Sequence, residues 1–205
     1  MATKAKASRR SSKNSPDATE LLVLELQEIH SAENQLSRVL PRLAKAAESQ
    51  KLAGMLEQRL EQGERLIKDI ESVFDEMDAS PGRKKNVAAE GLINDAREHV
   101  QEIEPGPALD AVLIGAIQKT EHYCIAAWGT ARSLAQAVGQ KTTSQAMERA
   151  LKEGSPFDEQ LTELAEQEIT PALLSGESDD DESDSTNDAR ARPQRREKSE
   201  QRAGR

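Results

Sequence analysis

The stretch QKTEHYCIAAWGT, residues 118–130, decides how the rest of the chain is read. Ile117, Trp128 and Ala131 recur at helical spacing around it, yet Glu121 falls on the same stripe, one turn beyond Ile117 and in line with Trp128. A carboxylate on the apolar side of a helix must be paired, protonated or bound to a cation, because an isolated buried charge costs several kcal/mol. The stretch therefore announces a helix, and an interior that carries chemistry.

Outward from it, the same periodicity recurs. Leu22, Leu26, Ile29, Leu36, Val39, Leu40 and Leu43 mark a first long helix over about 20–48. Pro41 lies inside it and should kink it near Ser37 without ending it. A second helix, about 51–78, carries Leu52, Leu56, Leu60, Ile67, Ile70, Phe74 and Met77, and the short turn before it makes the two antiparallel. After ASPGRKK (79–85), a shorter segment over about 86–104 has Ala89, Leu92, Ile93, Ala96, Val100 and Ile103 on one stripe and serves as a crossover. A third long helix, about 108–138, ends at Gly139, a natural C′ residue. The fourth, about 142–170, carries Met147, Leu151, Leu161 and Leu164, with a break expected at Gly154-Ser155-Pro156. Two antiparallel hairpins joined by one long connection define the expected fold class: all-α, a ferritin-like four-helix bundle with a long crossover containing a short extra helix.

Composition sets the limits of this domain. The 205 residues include few aromatics (Phe74, Tyr123, Trp128 and Phe157), while Ala, Leu, Glu and Gln dominate, favouring helix over sheet. Residues 1–19 form a basic tail and 175–205 an acidic, then basic, tail; both lack the apolar residues needed to offset ordering entropy and are expected to be disordered. The folded domain is expected over 20–174. The net charge of −9 argues against a general nucleic-acid surface on the core, so no specific nucleic acid is expected, and the tails are left with unknown partners. Cys124, alone, excludes an intramolecular disulfide and a CxxC metal site, and it reads as a small core filler. Neither a membrane-spanning run nor a secretory leader is found, so a cytoplasmic protein is expected.

Three acids share the inner face: Glu33 on the first helix, Glu121 on the third and Asp158 on the fourth. Inward carboxylates from several helices of a bundle are how di-iron and di-manganese sites are built. Arg59, central on the inner face of the second helix, supplies the other solution, an internal counter-ion. His30 and His122 lie to the side of their stripes and read as boundary histidines bonded to neighbouring helices.

The stretches LQEIHSAENQL (26–36), LPRLAKAA (40–47), RLEQ (59–62), AAEGLI (88–93), QKTEHYCIAAWGT (118–130) and DEQLTELA (158–165) resemble the YciE/YciF stress-protein family of ferritin-like proteins. That resemblance implies a dimeric bacterial protein linked to stress responses, with a dimetal site of iron or manganese inside the bundle and Glu33, Glu121 and Asp158 among its ligands. It also exposes departures. Arg59-Leu60-Glu61-Gln62 stands where the family usually has His-Leu-x-Glu, Leu66 where it has His or Gln, and Cys124 where Glu-His-Tyr is usually followed by Glu. Glu153-Gly154-Ser155-Pro156 replaces an acidic run. Two expectations follow: a partly degenerate member acting as a non-catalytic, dimerising helical scaffold, or an iron- or manganese-binding protein that handles oxygen or peroxide.

Overall fold

A computed structural model of the chain describes residues 15–176, which are helical apart from short connections. The charged segments 1–14 and 177–205 lie outside the described residues. Five α-helices follow in order: α1 (Ala18–Ala46), α2 (Gln50–Glu76), α3 (Val87–Glu102), α4 (Pro107–Ala137) and α5 (Lys141–Leu164). A π-helical turn, Ala165–Ile169, continues α5, and the chain stays helical to residue 176.

Local chemistry sets the ends. Asp17 starts α1 two residues earlier than its apolar stripe suggests: its Oδ1 accepts from the Thr19 and Glu20 amides at 2.9 Å each, and Glu20 Oε2 accepts from the Asp17 amide at 3.0 Å. This reciprocal box satisfies otherwise orphaned donors at the helix start. Gly139, at φ +77°, closes α4 as expected, with Gln140 N donating to the Ala135 carbonyl at 2.9 Å. The same left-handed turn ends α2, but there Asp78 occupies it, at φ 49°, and Ala79 N donates to the Phe74 carbonyl at 2.9 Å.

Pro41 and Pro156, inside α1 and α5, are both absorbed. Pro41 lies on an exposed side of α1, which runs on to Ala46. The break expected at Gly154-Ser155-Pro156 is not there: α5 is continuous through all three residues. Tertiary packing outweighs the local penalty, since Gly154 and Phe157 are buried against the bundle while Pro156 faces outward.

The helices pack as two hairpins, α1 with α2 and α4 with α5, while α1 also packs on α4 and α2 on α5. Helix α3 lies across α1 and α4. At one end of the molecule Gln27 Nε2 donates to the Ser80 carbonyl at 2.8 Å, tying α1 to the loop after α2. At the other end the buried Asp110 carboxylate accepts the amides of Glu48, at 3.0 Å, and Ser49, at 2.8 Å, fixing the start of α4 to the α1–α2 turn. The crossover thus carries the chain back along α1, and every neighbouring pair around the four-helix square is antiparallel. This is the hairpin, long connection, hairpin topology that loop lengths predicted.

Leu22, Leu26, Leu43, Leu52, Leu56, Ile70, Leu113, Trp128, Met147 and Leu161 form the core, each with no measurable exposure. Removing such a side chain from water contributes roughly 1.5–3 kcal/mol. Leu60, Ile67, Leu92, Val100 and Leu151 are half-buried, sitting at the margins of their stripes.

Candidate functional site

Midway along the bundle, α1, α2 and α4 each place one charged side chain in the core. Glu33, Arg59 and Glu121 are all at most 2% exposed. The Arg59 guanidinium lies between the two acids: Nη1 and Nη2 donate to Glu33 Oε2 and Oε1 at 3.1 Å each, and Nε donates to Glu121 Oε2 at 2.7 Å. The planar fork matches a carboxylate bidentately, which lysine could not do. Trp128 backs the group, with the guanidinium carbon 5.4 Å from its ring centroid.

Two glycines make room for this arrangement. A Cβ on Gly63 would come within 2.9 Å of Glu33 Oε2 and 3.1 Å of Arg59 Nη1. On Gly154 it would meet Trp128 Cζ3 at 2.5 Å and Glu121 Oε1 at 2.7 Å. Neither glycine is a turn residue; each is small because a charged or aromatic neighbour fills its space.

The electrostatics follow from burial. Burial alone would lower the Arg59 pKa, but Glu33 and Glu121 beside it hold it well above the free value, so the guanidinium is always charged. For Glu121 burial dominates and raises the pKa, against the pull of Arg59, with Glu33 and Asp158 adding to the rise. Its second oxygen, Oε1, is buried and accepts no hydrogen bond. The Cys124 thiol, buried beside the trio, is pushed well above its usual value by burial and by Glu33. It is a core thiol with the opposite of nucleophilic tuning.

Of the three acids proposed from the sequence, the structure joins Glu33 and Glu121 through Arg59. Asp158 stands apart: it is half-buried, its Oδ1 lies 3.4 Å from His122 Nδ1, and it makes no hydrogen bond there. His30 bonds to a neighbouring helix through Glu71 of α2, at 3.2 Å, and also meets Asn34 at 3.2 Å. His122 is exposed and turns its Nδ1 to its own helix, 3.0 Å from the Gln118 carbonyl.

A ferritin-like dimetal centre needs a Glu from each of two helices and Glu-x-x-His from the other two. The residues here do not fit it. Both oxygens of Glu33 and one of Glu121 are taken by a permanent cation, and Gln62, buried on α2, spends its amide on the Ala150 carbonyl at 3.3 Å. Among the described residues no group of three or more His, Cys, Asp or Glu side chains is disposed to hold a metal ion.

Asp110 and Asn86 are among the buried polar residues that the sequence reading did not single out. Asp110 shares the stripe of Leu113, Ile114, Ile117 and Glu121, and that spacing was the available signal. Asn86 caps α3: its Oδ1 accepts from Ala88 and Ala89, at 3.1 and 3.0 Å, and its Nδ2 donates to the Glu28 carbonyl at 3.0 Å and to the Tyr123 hydroxyl at 2.5 Å. Its place just before an apolar stripe marked it as a cap. The contacts to α1 and α4 required the fold.

Comparison with known proteins agrees with this architecture. A family described as a domain of unknown function, DUF892, matches residues 17–174. Protein YciF of Escherichia coli (strain K12) is 38% identical over 141 residues, which span 68% of this chain and 85% of that protein. The crystal structure of the E. coli stress protein YciF superposes with a TM-score of 0.72 at 34% identity, covering 76% of this chain and 99% of that one. YcfI from Rhodopseudomonas palustris, described as a candidate structural protein, gives a TM-score of 0.68 at 28% identity over 74% of this chain and 96% of its own. The chain belongs to the YciE/YciF family, whose shared domain is DUF892.

Proposed function

We propose that this protein is a non-catalytic, dimerising helical scaffold of the YciF stress-protein type, cytoplasmic, with its interior locked by the Glu33–Arg59–Glu121 network. One observation carries the reading: Arg59 donates to Glu33 and Glu121, two of the three carboxylates that the family resemblance would assign to a metal. A guanidinium supplies charge but neither an open coordination position nor redox chemistry, so the interior holds the helices together and leaves interaction to the surface and the charged ends of the chain. The description of E. coli YciF as a stress protein, and of the Rhodopseudomonas relative as a candidate structural one, supports a stress role of a structural kind.

The test is elemental analysis after anaerobic loading with iron, then manganese, beside the Glu33→Ala/Glu121→Ala double variant. Background metal in both is expected, with a dimer by light scattering. Stoichiometric metal in the parent, lost in the double variant, would overturn the scaffold reading.

A second reading has its own observation. Glu121 Oε1 and Asp158 Oδ1 are both buried atoms without a hydrogen bond, on adjacent helices of one hairpin. They are the motive for the alternative, an iron- or manganese-binding protein that handles oxygen or peroxide, which would require Glu33 to be released from Arg59.

A further inference from the structure

The side of α1 that meets α3 carries a second charged feature, independent of the buried network. A cavity of about 90 Å³ opens there, lined by Gln35 and Arg38 of α1, Lys85 of the incoming loop, and Glu90, Asn94 and Arg97 of α3. Its cations outnumber its acids. Lys85 takes the one lining carboxylate, Glu90. Arg97 Nη1 reaches only the neutral Asn94 Oδ1, at 3.4 Å, and Arg38 forms no ion pair with any described residue.

Two guanidinium groups facing one small space repel each other, and in a chain of net charge −9 there was no shortage of acids to place between them. An anion in the space reverses the sign of that interaction. The volume is that of about three water molecules, room for one tetrahedral oxyanion. Arginine forks present paired N–H donors at the spacing of two phosphate oxygens.

We propose that the α1–α3 cavity is a binding site for a free oxyanion of the phosphate class, held between Arg38 and Arg97. Occupancy would clamp the crossover helix to α1 and so stabilise the folded state by mass action. The site does not depend on whether the buried network excludes metal.

The experiment titrates inorganic phosphate into the full chain by calorimetry and follows the melting temperature, at ionic strength held constant with chloride. Three proteins are compared: the parent, Arg38→Gln/Arg97→Gln, and the charge-matched control Arg83→Gln/Lys84→Gln, which removes two cations from the same region outside the cavity. Saturable binding is expected in the parent, weakened roughly tenfold or more by the Arg38/Arg97 pair, as loss of charge-assisted bonds requires, and little changed in the control. Arg38 is exposed and Arg97 half-exposed, so both variants should fold; circular dichroism verifies this, and Arg38→Gln alone serves if the double variant does not. No saturable binding in the parent, equal loss in both double variants, or full binding in Arg38→Gln/Arg97→Gln would each overturn the proposal.

Discussion

Arg59 and Glu33 meet fork to fork between α2 and α1, each terminal guanidinium nitrogen 3.1 Å from its own carboxylate oxygen, with both side chains at most 1% exposed. A pair this deep is costly to assemble and more costly to break, because either partner left alone is an uncompensated buried charge. Arg59→Met keeps the volume and removes the cation, leaving Glu33 and Glu121 facing each other. The expected loss is about 3–5 kcal/mol in urea unfolding. Replacing all three residues by apolar ones of similar size should recover that loss. An unchanged midpoint for Arg59→Met would mean that the carboxylates find another cation, and would favour the metal reading.

Gly154→Ala should destabilise the protein even though alanine is the better helix former. The new Cβ falls 2.5 Å from Trp128 Cζ3 and 2.7 Å from Glu121 Oε1, and overpacking of this kind costs about 1–3 kcal/mol. Gly115, inside α4, has nothing within 4 Å of its would-be Cβ, so Gly115→Ala should stabilise by about 0.5–1 kcal/mol through propensity alone. Opposite signs in thermal melts would separate the packing effect from the helical one.

Glu121 gives the network a pH dependence of defined sign. Its folded pKa is raised, chiefly by burial, with Glu33 and Asp158 adding and Arg59 opposing. An acid with a raised folded pKa holds its proton longer in the folded state than in the unfolded one. Its contribution is therefore complete below the ordinary glutamate pKa and declines as pH rises from there through the folded value. Charged or titratable groups face it from α1 (Glu33), α2 (Arg59), its own helix (Cys124) and α5 (Asp158). Unfolding midpoints measured across this window should fall more steeply with pH in the parent than in Glu121→Gln. Parallel curves would show that Glu121 ionises alike in both states.

The helices, their order, the long crossover and the inward Glu33, Arg59 and Glu121 were all legible from period and loop length, since a side chain's face follows from its position in a regular helix. What the wheel could not supply was whether inward charges from different helices meet. It grouped Asp158 with the other acids, whereas of the three Arg59 bonds only Glu33 and Glu121, and the half-buried Asp158 carboxylate has His122 Nδ1 3.4 Å away. Gly154 and Pro156 read as a break because local propensity was all the sequence offered there; the space taken by Trp128 and Glu121, which makes a glycine necessary, lies on a helix some thirty positions earlier.

Asp110 supports the last prediction. Its carboxylate reaches across about sixty residues of sequence to accept the Glu48 and Ser49 amides, at 3.0 and 2.8 Å, at a helix-to-helix turn that has no other buried acceptor of this kind among the described residues. Hydrogen bonds to a charged group contribute roughly 1.5–3 kcal/mol each, and here two amides would be orphaned together. Asp110→Ala should therefore cost about as much as breaking the Arg59 network, although it touches no part of it. The distinguishing readout is local: amide hydrogen exchange at residues 48 and 49 should accelerate in Asp110→Ala and stay protected in Arg59→Met. Exchange that rises equally at both positions in both variants would mean that the turn opens only with the whole bundle, and that Asp110 does not hold it separately.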